Sequence, residues 1–299
     1  QPKAVLRNPR PEGRGGCQEQ RASFQPTLWE KAPDQDAEEK WFPGAHSDVG
    51  GGYREHGLSD AALDWMIQEA QKAGLAFNIR MVCQIPKNKF QDVLHDPCDG
   101  VFGLMATMPR AVPNLPASPA ILAEATQRRM EAPPIAQAPY RPQTTCPLNV
   151  QIFADTPWNE TGLWLEAGKE YQFTATGEWM DGKSKCEPSG FQRGRLVHWV
   201  SSLLSLAEGL FKKVTGNESA NFFFTRRHDD KPWLVLMGAI ANGGIRIPDG
   251  TMIPHETFVI GEGVTYVPKE SGYFYAYAND AWGSVSYTHL RAHETEATI

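Results

Sequence analysis

The chain has 299 residues, of which 41% are hydrophobic and 21% are charged, and its formal net charge is −6. This length is typical of about two domains, and this composition is typical of a globular protein with a hydrophobic core. The acidic balance disfavours a nucleic-acid-binding function, and no apolar run approaches the ~18 residues of a transmembrane segment. The five cysteines have no CxxC spacing, which disfavours a disulfide framework and a zinc site.

The first segment, residues 1–17, is basic and rich in Pro, Gly and Arg, without hydrophobic periodicity. This composition predicts a disordered or foreign lead. Because Gln1 is not a methionine and no charged-then-apolar signal segment follows it, we expect the chain to be part of a longer protein.

Residues 18–131 have the strand–loop–helix order of the α/β class. Lys40-Trp41-Phe42 predicts the end of a short buried strand. A helix is predicted from the N-cap Ser59 to the stop signal Gly74, because apolar residues recur between them at helical spacing. These residues are Leu63, Met66, Ile67 and Ala70.

The pattern of the chain changes after a second predicted helix and a linker. A helix is predicted over residues 118–130, with a proline in its first turn, and the Pro-rich segment 132–147 predicts a semi-rigid linker. In residues 148–284, apolar residues alternate with polar ones in short runs separated by turn-forming residues, as in Tyr171–Ala175. This pattern predicts an all-β antiparallel sandwich, interrupted by one amphipathic helix near 199–215.

The loop 41–53 combines a histidine, an acidic residue and a glycine run between a predicted strand and a predicted helix. An α/β-hydrolase keeps its general base in such a position, where an imidazole faces an exposed serine hydroxyl. His46 is therefore the candidate catalytic residue, and Asp48 is a candidate partner. The glycine run lets the backbone approach a substrate, and it consists of Gly50, Gly51 and Gly52. Two alternatives stay open: a structural pair of His46 with Asp48, and a metal site with His56 as a third ligand.

Several runs in the first half of the chain resemble one family of catalytic domains. They are RASFQPTLW (21–29), WFPGAHSDVGGGY (41–53), LSD (58–60), WM (65–66), LHD (94–96) and PRAVP (109–113). Over about residues 18–115, they resemble the C-terminal part of the α/β-hydrolase domain of type VI secretion phospholipase effectors of the first class. The resemblance implies a Ser-Asp-His triad that cleaves phospholipid esters without a cofactor. It places His46 at the position of the base, whereas Asp48 matches a motif position that we do not expect to be the triad acid.

The nucleophile that the resemblance implies is a serine in a G-x-S-x-G elbow, and this chain contains no such motif. The nearest imitation surrounds Ser59, which is predicted to be a helix cap. Because the triad of an α/β-hydrolase follows the order Ser, Asp or Glu, His along the chain, we expect the nucleophile and the acid upstream of Gln1. The 299-residue chain is therefore predicted to be catalytically inactive by itself.

Spaced landmarks between residues 148 and 283 resemble a galactophilic, calcium-dependent lectin-like β-sandwich. They include WNETG (158–162) and YAND (277–280). The resemblance implies an accessory module that binds carbohydrate, with Asp280 as a calcium ligand. A structural sandwich without a ligand is the alternative, because the sequence departs from the family after Gly283 and contains a helical insertion.

The tail, residues 285–299, resembles the translation of a sequencing adapter, and it is predicted to have no place in the sandwich. Under this interpretation, the i, i+4 spacing of His289 and His293 does not form a metal site.

The leading hypothesis is a fragment of a serine phospholipase effector that is fused to a lectin-like β-sandwich. It predicts a phospholipid substrate, secretion from a bacterium, and a secretion apparatus and an immunity protein as partners. One alternative is a noncatalytic carbohydrate-binding or adaptor protein that retains a decayed hydrolase segment. Another is a cytoplasmic hydrolase of the same fold.

Overall fold

A computed structural model of the chain describes residues 19–22, 24–26, 32–86, 89–98, 106–134, 144–181, 184–191, 227–245, 251–280 and 295–298. The chain divides into two compact units, one within residues 1–103 and 113–142 and the other within 104–112 and 143–299. The division at 142/143 lies in the segment that the sequence predicts to be a linker. The helix predicted near 199–215 lies outside the described residues.

Helices are the main regular elements among the described residues of the first unit. Its helices are α1 (His46–Gly50), α2 (Gly57–Lys72), α3 (Ile79–Val82) and α4 (Glu124–Glu131), with a 3₁₀ turn at Pro119–Ile121. The strand predicted to end near Trp41 is reduced to an isolated parallel bridge between Trp41 and Leu122. This bridge also divides the predicted helix 118–130, because the N–H of Ala123 donates to the Trp41 carbonyl instead of continuing a helix.

Helix α2 begins two residues before the predicted N-cap. Ser59 lies inside its first turn, where the hydroxyl donates to the His56 carbonyl at 2.9 Å, so the prediction that Ser59 is the N-cap is wrong. The helix ends before Gly74, which has the positive φ of +91° that a helix stop favours. Its buried side chains include Leu58 and Ile67.

The second unit contains ten strands among its described residues, and they form antiparallel pairs. One sheet has the order β1-β10-β3-β8, a second has the order β2-β9-β6-β7, and β4 pairs with β5. The strands are β1 (Asn149–Ile152), β2 (Asn159–Leu165), β3 (Tyr171–Gly177), β4 (Trp179–Asp181), β5 (Ser184–Cys186), β6 (Leu236–Ala241), β7 (Glu256–Val259), β8 (Gly263–Tyr266), β9 (Gly272–Ala278) and β10 (Thr295–Thr298).

Both four-stranded sheets contribute side chains to one hydrophobic cluster, which includes Phe173 from β3 and Phe274 from β9. In β3, buried and exposed residues alternate as the sequence predicts. In β9, all seven residues are buried. Its even-numbered side chains enter the cluster, whereas the opposite face, with Tyr273 and Tyr277, packs against the rings of Trp164 and Trp158.

Strand β10 belongs to the tail that the sequence predicts to have no place in the sandwich. Thr295–Thr298 lies between β1 and β3, with Ala297 opposite both Val150 and Ala175. The expectation is therefore wrong for these four residues. The physical reason is that a strand between two neighbours is bonded mainly through its backbone, which imposes little on sequence. The resemblance of residues 285–299 to a translated adapter stays a prediction.

Candidate functional site

His46 is the first residue of α1, and its side chain is exposed. Its ring lies 5.5 Å from the ring of Phe24, with the two planes tilted by 58°. Its backbone N–H points to the Glu19 carboxylate, with 3.4 Å between N and Oε2. In the described part of the chain, no serine, threonine or cysteine is hydrogen-bonded to the imidazole. Phe24 thus contacts the imidazole ring, which is otherwise accessible to solvent.

The carboxylate beneath His46 belongs to a buried ion pair. Glu19 is fully buried, and Arg21 donates to it from Nε at 2.7 Å and from Nη2 at 2.6 Å. Burial opposes ionisation of Glu19, but the hydrogen bonds and charge of Arg21 outweigh it and lower the pKa of the carboxyl below its ordinary value. The Arg21 guanidinium also lies 4.0 Å above the Phe24 ring. Glu19, Arg21 and Phe24 therefore form a fixed support for His46.

Asp48 holds the loop together instead of contacting the His46 ring. Its carboxylate is buried, and Oδ2 accepts from the backbone N–H of Ala45 at 2.9 Å and from that of His95 at 3.3 Å. Its other oxygen, Oδ1, is 2.7 Å from Nδ1 of His95. A β-carbon at Gly44, where φ is +111°, would overlap the Asp48 side chain. The start of α1 therefore depends on both a carboxylate at 48 and a glycine at 44.

His95 completes this cluster, although the sequence indicates it only as one landmark of the family resemblance. Its ring stacks on Tyr53, with 3.7 Å between centroids and 15° between planes. Nε2 lies 3.5 Å from the Glu55 carboxylate, and Nδ1 faces Asp48. The structural His–Asp pair that the sequence leaves open therefore exists, but it joins Asp48 to His95 and not to His46.

The glycine run that follows α1 divides into two parts. Gly50 is the last residue of the helix, whereas Gly51 and Gly52 have φ angles of +88° and +133°. Both values lie where side chains other than glycine are rarely found, so the chain turns here between α1 and α2. Gly51 and Gly52 thus form the turn between the two helices, and the approach of this run to a substrate stays a prediction.

A metal site at His46, Asp48 and His56 does not form. His56 contacts Asp60 instead, with 2.7 Å between Nδ1 and Oδ2. Among the residues that the structure describes, no group of three or more His, Cys, Asp or Glu side chains is arranged to hold a metal ion.

Asp280, the predicted calcium ligand of the second unit, is buried just beyond the end of β9. Its carbonyl accepts from the N–H of Arg227 at 3.2 Å, and its charge acts on the guanidinium of that residue. Burial lowers the pKa of Arg227 to about 10, so the group stays cationic at neutral pH. Calcium binding by Asp280 stays a prediction. The lectin-like function of the second unit stays a prediction.

Comparisons with known proteins concern mainly the segment around His46. Residues 16–69 match the family described as "T6SS, Phospholipase effector Tle1-like, catalytic domain". The chain is also 52% identical over 44 residues to the "Uncharacterized protein YEL023C" of Saccharomyces cerevisiae. That alignment covers 13% of this chain and 6% of the yeast protein, so the chain spans only a small part of this curated relative. Residues 16–69 are thus similar to part of the catalytic domain of type VI secretion phospholipase effectors.

Proposed function

We propose that the first unit is part of the catalytic domain of a bacterial phospholipase effector, and that His46 is its general base. The observation that carries the proposal is the family match over residues 16–69. This segment contains the exposed His46, whose backbone is held by buried neighbouring residues. A general base must be accessible to its substrate and held in one orientation. The ion pair of Glu19 with Arg21 and the bonds of Asp48 supply that fixed support.

In the proposed mechanism, the His46 imidazole accepts the proton of a serine hydroxyl while the serine oxygen attacks the carbonyl carbon of a phospholipid ester. The imidazolium then donates this proton to the oxygen of the departing alcohol, which leaves an acyl-serine. A water molecule then attacks the carbonyl carbon of the acyl-serine while His46 accepts a proton from the water. The imidazolium returns this proton to the serine oxygen, and the fatty acid leaves. The serine and the triad acid are not among the residues that the structure describes around His46.

The proposed activity fits a protein that is secreted as a toxin. A type VI effector acts on the lipids of a target cell, so the proposal includes a secretion apparatus as the delivery partner and an immunity protein as the inhibitor. No helix in the described ranges has the length and apolar composition to cross a membrane.

A hybrid enzyme tests the proposal. Residues 19–98 of this chain replace the aligned segment of an active family member, which supplies the serine and the acid. We expect the hybrid to cleave phospholipid esters, and His46→Ala to lower the rate about 10²–10⁴-fold, as for loss of a general base. His56→Ala is the matched control, because this exposed histidine contacts Asp60 on α2 and not the His46 site. Equal activity of the two variants would exclude His46 as the base.

A further inference from the structure

The segment that runs from the last turn of α2 into α3 exposes a group of apolar side chains. Every residue from 71 to 81, here called the 71–81 loop, is exposed. Its large apolar side chains are Leu75 (58% exposed), Phe77 (37%), Ile79 (65%) and Met81 (63%). Soluble proteins expose single apolar residues commonly, but a contiguous group of this kind marks a surface that binds something.

The 71–81 loop has a defined conformation, although its apolar side chains are exposed. The N–H of Leu75 donates to the Ala70 carbonyl at 2.9 Å, next to the positive-φ residue Gly74. Asn78 then caps α3, because its side chain accepts from the N–H of Arg80 at 3.0 Å. These backbone N–H groups therefore have hydrogen-bond acceptors nearby in the sequence. The exposed apolar side chains lie on a turn and a short helix.

The charge around the 71–81 loop differs from that of the chain as a whole. Residues 71–90 contain four cationic residues and no Asp or Glu, whereas the whole chain has a net charge of −6. Lys72 contacts Glu69 at the end of α2 and is also near the charges of Glu38 and Asp36. Arg80 therefore supplies the cation that lies among the exposed apolar residues on α3. Exposed apolar side chains with interspersed cations are complementary to an anionic lipid surface, which takes up the apolar groups and attracts the cations.

We propose that the 71–81 loop docks the protein on the surface of an anionic phospholipid bilayer. Leu75, Phe77 and Ile79 enter the boundary between headgroups and acyl chains, and Arg80 contacts the phosphates. This inference deepens the proposed function, since it rests on a phospholipid substrate, and it assigns the surface contact to residues outside the His46 site. A protein that cleaves lipid esters must reach them at an interface, and this loop provides an attachment that requires no transmembrane segment.

Co-sedimentation of the full 299-residue chain with vesicles tests the proposal. The vesicles contain ether-linked phosphatidylcholine, with or without 30% ether-linked phosphatidylglycerol, so no carboxylic ester is available for cleavage. We expect binding to the anionic vesicles, weakened by high salt, and at least about tenfold weaker binding for the double variant Leu75→Ser/Ile79→Ser. Arg80→Gln should weaken binding to the anionic vesicles alone. The matched control is Ile245→Ser/Val267→Ser, which changes two exposed apolar residues of the second unit and should leave binding unchanged.

Two results would overturn the docking proposal. One is the absence of binding to the anionic vesicles, or binding that the double variant leaves unchanged while its circular dichroism spectrum matches that of the original chain. The other is self-association of the chain that the same double variant abolishes, which would assign the loop to a second copy. Because binding is measured without hydrolysis, neither result depends on the activity of the hybrid enzyme, and failure of the hybrid would leave the binding result intact.

Discussion

Asp48 is the residue on which the loop around His46 depends, since its carboxylate bonds two backbone N–H groups and the His95 ring. Asp48→Ala leaves buried donors without an acceptor, and we expect it to lower the free energy of unfolding of the first unit by about 2–3 kcal/mol. Asp64→Ala is the matched control, because Asp64 accepts from the exposed side chain of Gln68 on the surface of α2 and should change stability by less than ~0.5 kcal/mol. Urea denaturation followed by tryptophan fluorescence measures both. Similar effects of the two variants would contradict the role of Asp48.

His255 makes the second unit sensitive to acid. The ring is buried, with Nδ1 accepting from the Gly243 N–H at 2.8 Å and Nε2 donating to the Pro109 carbonyl at 2.5 Å. Burial lowers its pKa below the ordinary 6.5, although the bond to Pro109 opposes the shift. The folded state therefore binds fewer protons than the unfolded state between the folded pKa and 6.5. Above pH 6.5, His255 does not lower the free energy of unfolding. As the pH drops below 6.5, His255 lowers the free energy of unfolding by at most about 1.4 kcal/mol per pH unit.

The variant His255→Gln tests this pH dependence. It cannot titrate, but its amide nitrogen can still donate to the Pro109 carbonyl. We expect the thermal stability of the second unit to fall less between pH 7 and pH 5 in this variant than in the original chain. His56→Gln, which changes an exposed ring of the first unit, should leave the slope unchanged. An identical slope in all three proteins would show that His255 does not titrate on unfolding.

At the residue scale, the sequence indicates part of the candidate site. His46, Asp48 and the glycine run stand out because they lie in one short loop. Glu19 and His95 do not stand out, because Glu19 is separated from His46 by 27 residues and His95 from Asp48 by 47. A local sequence pattern does not indicate contacts over such separations. The role of Asp48 also depends on distant residues, because the tertiary fold brings His95 to its carboxylate.

At the scale of elements, strand β10 is the part of the fold that the sequence predicts least well. It lies between β1 and β3, and Ala297 pairs with both neighbours. Ala297→Pro removes an N–H from the ladder and leaves its acceptor unpaired, so we expect it to destabilise the second unit by about 1–3 kcal/mol. Ala297→Ser keeps the N–H and serves as the control. Thermal denaturation at equal concentration compares them, and unchanged stability of the proline variant would place the tail outside the sheet.

Other elements follow from local sequence to different degrees. The period-two alternation predicts β3, because its buried side chains lie two residues apart. The position of helix α2 is predicted, but its buried face is not, because Leu63 and Met66 are 48% and 55% exposed. Periodicity identifies an apolar stripe, whereas burial depends on which neighbours the tertiary fold brings to it. The bridge of Trp41 to Leu122 spans about 80 residues and has no local signal.

At the scale of the whole molecule, two compact units combine a helical segment that is similar to part of a phospholipase effector catalytic domain with two packed antiparallel sheets. Proton transfer is proposed for His46, loop positioning for Asp48 and lipid attachment for the 71–81 loop. Variants of His46 and of the 71–81 loop test separate roles, whereas Asp48→Ala also affects the loop that carries His46.

The most direct test of the central claim is the kcat/KM for phospholipid ester hydrolysis by the hybrid enzyme that carries residues 19–98. We predict that His46→Ala lowers kcat/KM about 10²–10⁴-fold, while His56→Ala leaves it within about twofold of the unmodified hybrid. A His46→Ala hybrid that retains the activity of the unmodified hybrid would contradict the assignment of His46 as the general base.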